Sequence, residues 1–82
     1  MFADSFDAWL EQNPIAKARL AKEHSVIRAA TEVGVSPNAY RKWEVGAAIP
    51  NEENIEALKS YTGNAEIGDE IKAWFDSKPK SH

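Results

Sequence analysis

The chain contains no cysteine, so disulfide staples and thiolate metal sites are both excluded. Its two histidines, His24 and His82, lie far apart in sequence, and no metal site built on them is expected. No apolar run approaches the about 20 residues that a membrane-spanning helix needs, and no signal-peptide pattern opens the chain. A cytoplasmic protein without membrane contact is the expectation. Glycine is sparse: its four copies are scattered, which leaves no phosphate-cradling loop. No nucleophile–base pair is recognisable and no repeat recurs at a solenoid period. An enzyme is therefore not expected, nor a cofactor.

Positive charge is also in short supply. Ten Lys and Arg stand against 13 Asp and Glu, a net charge of −3. The distribution matters more than the total. Residues 1–13 carry −3, residues 14–48 carry +3 and residues 49–82 carry −3. A positive middle thus sits between acidic flanks. What is plentiful is apolar and aromatic surface: 43% of the 82 residues are hydrophobic, among them three Trp, three Phe and two Tyr. That suits one small folded domain over 1–82, with room for one modest core.

The positive middle contains the most informative stretch, Ser36-Pro37-Asn38-Ala39-Tyr40-Arg41-Lys42-Trp43-Glu44-Val45-Gly46, with Pro50 shortly after. Ser36 is a good N-cap and Pro37 fits the first helical position, where no amide donor is needed. Gly46 suits the left-handed residue after a helix, and Pro50 prevents its resumption. The expected helix, 37–45, has two unlike faces. Tyr40 and Trp43 point one way, to a core. Pro37, Asn38, Arg41, Lys42 and Val45 point the other, spaced i, i+1, i+4, i+5, i+8. An amide, a guanidinium and an ammonium beside small apolar groups are what a reader of base edges requires.

Residues 26–33 read as a preceding short helix, capped by Ser25, with Ala29, Ala30 and Val33 inward. Gly34-Val35-Ser36 then supplies a tight turn: a glycine for positive φ, a valine to plug the angle between helices, and the next N-cap.

Ala29-Ala30-Thr31-Glu32-Val33-Gly34-Val35-Ser36, followed by Tyr40, Trp43-Glu44-x-Gly46 and Pro50, resembles the Cro/C1-type (lambda-repressor-like) helix-turn-helix family. The resemblance runs from about Ile15 to Gly63. It implies an Arg19–Glu44 ion pair tying the first family helix to the recognition helix; solvated surface charges are the plainer reading. Two positions depart from the family pattern. Val26 stands where a phosphate-touching glutamine is usual, leaving only a backbone amide for that task. Pro37 stands at the first recognition position and offers no polar group.

The resemblance implies a sequence-specific regulator of transcription, of bacterial or phage type and most simply a repressor, bound to a double-stranded DNA operator. Base contacts fall to Asn38, Arg41 and Lys42, with Pro37 limited to apolar contact. Ser25, Val26, Arg28, Ser36 and Val45 are expected along the phosphate backbone. A solvated role for Arg28 is an equal alternative, and Lys17 and Lys22 read as solvent-exposed. From another class, the alternative is a helix-turn-helix module that binds a protein, as antirepressors and antitoxins do.

The rest of the chain reads as helices, so the expected fold is all-α. It is a compact five- to six-helix lambda-repressor-like domain, with core about 14–63 and extra terminal helices about 3–12 and 65–76. Asp4 or Ser5 caps the first helix, whose stripe is Phe2, Phe6, Trp9 and Leu10. Asn13-Pro14 opens the second, running to about Glu23, with Ile15, Ala18 and Leu20 inward. Asn51 caps a helix with Glu52 and Glu53 in its first turn and Ile55, Leu58 and Tyr61 or Thr62 inward, ending at Gly63. Asn64 is expected to cap the last, with Ile67, Ile71, Trp74 and Phe75 on one face, before a frayed tail at 77–82. Each terminal stripe either completes the core or forms a homodimer interface: Ile71, Trp74 and Phe75 at one end, or Phe2, Phe6 and Trp9 at the other.

Overall fold

Side-chain caps mark where four of the six described helices begin. In the computed structural model, which describes residues 5–79, the elements are α1 (Ser5–Glu11), α2 (Pro14–Ala21), α3 (Val26–Val33), α4 (Pro37–Glu44), α5 (Glu52–Thr62) and α6 (Ile67–Asp76). Asn13 Oδ1 accepts from the amides of Ile15 and Ala16 at 2.8 and 3.2 Å. Ser25 Oγ accepts from Arg28, Ser36 Oγ from Ala39 and Asn51 Oδ1 from Asn54, at 3.0, 3.1 and 2.8 Å. Each such cap contributes about 1 kcal/mol. The fold is all-α, and no strand occurs among the described residues. Phe2 and Asp4, assigned above to the first stripe and cap, lie outside them, as does His82.

Ile15, Ala29, Ala30, Tyr40, Trp43, Leu58, Ile67 and Ile71 form one buried cluster. It draws on every helix from α2 to α6. Ala29 and Ala30 have no exposed surface, and their small side chains let α4 lie close across α3. The turn between them runs through Gly34 at φ 90°, whose amide donates to Ala30 O at 2.8 Å. Val33 and Val35 pack against the cluster on either side of that turn.

Three expectations are corrected. Leu20 is 61% exposed, not inward. α2 turns Ile15 to the core and Arg19 towards α4, which leaves Leu20 on the solvent side. The last helix starts at Ile67, later than about 65, because Asn64 Oδ1 bonds the Glu66 amide at 2.9 Å and closes a turn instead of capping a helix. Gly68 then lies in the first turn of α6, where a Cβ would meet Ile55 Cγ2 at 2.9 Å; glycine permits the α5–α6 approach. Finally, the tail does not fray at once. Ser77 Oγ donates to Trp74 O at 2.7 Å, and Lys78 Nζ donates to Gly46 O at 3.2 Å.

The two terminal helices meet each other. Trp9 of α1 and Trp74 of α6 stack with ring centroids 3.8 Å apart and planes 3° from parallel. Phe6 and Phe75 flank the stack, the first tilted and the second edge-on. Trp9, Ile71 and Trp74 are buried inside the chain. Of the aromatic residues considered above for a dimer interface, only Phe6 and the half-buried Phe75 keep exposed surface among the described residues.

Candidate nucleic-acid interface

α4 presents the two faces that its spacing requires. Tyr40 is fully buried and Trp43 nearly so, while Pro37, Asn38, Arg41, Lys42 and Val45 are exposed. The side chains of Asn38, Arg41 and Lys42 make no hydrogen bond or ion pair with other described residues. Two other surface cations are paired. Arg28 pairs with Glu32 at 3.1 Å and Lys59 with Glu56 at 2.8 Å. Both pairs are exposed and contribute at most about 1 kcal/mol. The face of α4 therefore shows two positive charges without a counter-ion among the described residues.

The one acid on α4 is turned away from that face. Glu44 accepts from Arg19 in a two-pronged pair, Nε–Oε2 at 2.7 Å and Nη2–Oε1 at 2.9 Å, with both side chains largely buried. The hydrogen bond to Glu44 holds the Arg19 pKa above its ordinary value. Arg19 Nη1 also donates to His24 O at 3.0 Å. One guanidinium thus joins α2, the loop before α3 and α4. Such charge-assisted bonds are roughly twice as strong as neutral ones and fix orientation through their planar fork. Beside it, His24 Nδ1 and the Tyr61 hydroxyl lie 2.8 Å apart, linking that loop to α5.

Asn13 holds the same helix from the other side. Its Nδ2 donates to Glu44 O at 2.8 Å and Trp43 O at 3.2 Å, while its Oδ1 caps α2. The residue has no exposed surface. Only the capping half of this arrangement was readable from Asn13-Pro14.

The phosphate-side candidates are spread over two helix starts. Ser25 and Ser36 are exposed, and each hydroxyl already accepts one amide of its own helix. Val26 turns its side chain to the core, which leaves its backbone at the start of α3. Arg28 is exposed but bridged to Glu32. Val45 is 47% exposed just past α4. Two successive helices, a tight glycine turn and an exposed polar face on the second define a helix-turn-helix. A helix-turn-helix family model matches residues 15–64, and the chain belongs to the Cro/C1-type helix-turn-helix family. No curated protein and no solved structure matches the chain. The match excludes α1 and nearly all of the segment from Asn64 onward, so the Trp9–Trp74 stack lies outside it. No described helix is long and apolar enough to cross a membrane, and no cluster of potential metal ligands occurs among the described residues.

Proposed function

We propose that this protein is a sequence-specific regulator of transcription that reads the major groove with α4 and represses by occupying a promoter. The observation that carries this reading is the pair of exposed cations, Arg41 and Lys42, beside Asn38 and with Glu44 drawn away to Arg19. Asn38 suits the N6 and N7 edge of adenine, and Arg41 or Lys42 suits guanine or phosphate. Pro37 offers apolar contact to a thymine methyl. Ser25, the Val26 amide, Arg28, Ser36 and Val45 approach the phosphate backbone, with Arg28 exchanging its exposed partner Glu32 for phosphate. The described residues 5–79 act as one unit, since Trp9 of α1 meets Gly46 and Trp74, and α6 supplies Ile67 and Ile71 to the core.

The net charge of −3 limits non-specific affinity, which favours binding as a homodimer to two half-sites. The half-buried Phe75 keeps part of its ring at the surface of the terminal aromatic cluster, where such pairing would form. Selection from random-sequence duplexes, followed by fluorescence anisotropy at several salt concentrations, tests the reading. An enriched palindrome with a steep salt slope is expected. No enrichment, with negligible binding at low salt, would contradict it and turn attention to a protein partner.

A further inference from the structure

We propose that Asn13 is a positioning residue for the reading helix, acting with the terminal Trp9–Trp74 clasp; this rests on the DNA-reading function above. The geometry behind it converges on the C-terminal end of α4. Helix ends leave carbonyls without intrahelical partners. At α4, two of these carbonyls, Trp43 O and Glu44 O, receive the two-donor amide of Asn13. Just past the helix, Gly46 O receives the ammonium of Lys78, which also lies 5.6 Å from the Trp9 ring centroid. Gly46 itself lies under the stacked indoles, where a Cβ would be 2.7 Å from Trp9 Cζ3 and 3.5 Å from Trp74 Cη2. All of these holding groups come from outside the 15–64 match. These holding groups gather at the C-terminal end of α4, so a shift there tilts the helix about its buried Tyr40 and displaces Asn38 and Arg41 on the exposed face. Phosphate contacts tolerate such a tilt, since a flexible lysine follows the phosphate. Bidentate base contacts do not. Asn13 therefore sets specificity without touching DNA.

Asn13 combines two tasks that substitution separates. Asn13→Asp keeps a side-chain oxygen for the α2 amides, and aspartate caps well. It removes the donors to Trp43 O and Glu44 O. Affinity for the selected operator is expected to fall about tenfold, the scale of one mismatched base pair, while affinity for random duplex stays within about twofold. A loss through unfolding alone would lower both equally. Amide hydrogen exchange supplies an arm that needs no DNA. The amides of Val45 and Ala47, which bond Arg41 O and Lys42 O, should exchange about tenfold faster, whereas Lys17, bonded to Asn13 O, keeps its protection. If Asn13→Asp does not fold, Asn13→Ser is read in its place, since serine also caps without donating to α4. Wild-type specificity with wild-type exchange in the folded variant would overturn the proposal. If the wild-type chain selects no DNA, the function above fails and the exchange arm still decides whether Asn13 holds α4.

Discussion

Trp9 and Trp74 each donate the indole N–H to the other's main-chain carbonyl, both at 2.7 Å. The reciprocity joins α1 to α6 across 65 residues of sequence. It satisfies two buried polar groups that would otherwise oppose burial of the largest side chains in the chain. Trp9→Phe removes one donor and part of the stack. Stability should fall by about 2–3 kcal/mol, lowering Tm by roughly 10 °C or more. Thermal unfolding followed by circular dichroism checks this, and an unchanged Tm would mean that the clasp contributes nothing.

Gly46 and Gly34 separate two reasons for glycine. Both have positive φ, 77° and 90°, but only Gly46 faces the indoles; around Gly34 nothing lies within 4 Å of an added Cβ. Gly34→Ala should cost about 1–2 kcal/mol through the left-handed backbone alone. Gly46→Ala adds overpacking against Trp9 and should cost about 2–4 kcal/mol. Urea unfolding of the two variants measures the difference, and equal losses would show that the clasp yields freely.

Alkaline pH should destabilise the fold. Burial pushes the Tyr40 pKa well up and raises that of Tyr61. For both, the ordinary value of 10.0 applies to the unfolded chain. Above pH 10 the folded state therefore retains protons that the unfolded state loses, and unfolding free energy decreases as pH rises. Below that range these groups leave stability flat. Tyr40→Phe removes the larger contribution and should make the decline shallower. Unfolding measured between pH 8 and 12 checks the sign, and a decline unaffected by the substitution would assign it to other groups.

Asn38 and Lys42 should fail in different ways. Asn38→Ala should relax preference at one base pair by about 1–3 kcal/mol. Lys42→Ala should weaken binding to all sequences and reduce the salt slope by about 1. Anisotropy titrations against the selected duplex and single-base variants distinguish the two patterns. If both substitutions left affinity and slope unchanged, α4 would not be the reading element.

Much of this was readable because it is local. Asn13, Ser25, Ser36 and Asn51 each cap the helix that follows them, and Gly34 with Val35 specifies a turn within three residues. The opposition of Tyr40 and Trp43 to Asn38, Arg41 and Lys42 follows from helical period alone. The misreadings lie where one residue has two possible partners. Asn64 bonds a turn amide instead of capping α6. Leu20 is placed by Arg19, whose partner is 25 residues away, and an eight-residue helix has too few apolar positions to reveal its face. The aromatic stripes of α1 and α6 were visible, but each fits a core or an interface equally. Only long-range geometry shows that they close on one another, and that the amide end of Asn13 reaches α4.

If the exposed face of α4 binds DNA, a charge-matched comparison will separate it from the rest of the basic surface. Anisotropy of the selected duplex would be measured with wild type, with Arg41→Ala/Lys42→Ala, and with Lys59→Ala/Lys72→Ala on α5 and α6. All three would be compared at one salt concentration. Both double variants lose the same net charge. A loss of at least about tenfold is expected for the α4 pair and little change for the α5–α6 pair. Equal losses, or none from α4, would contradict DNA binding by that face.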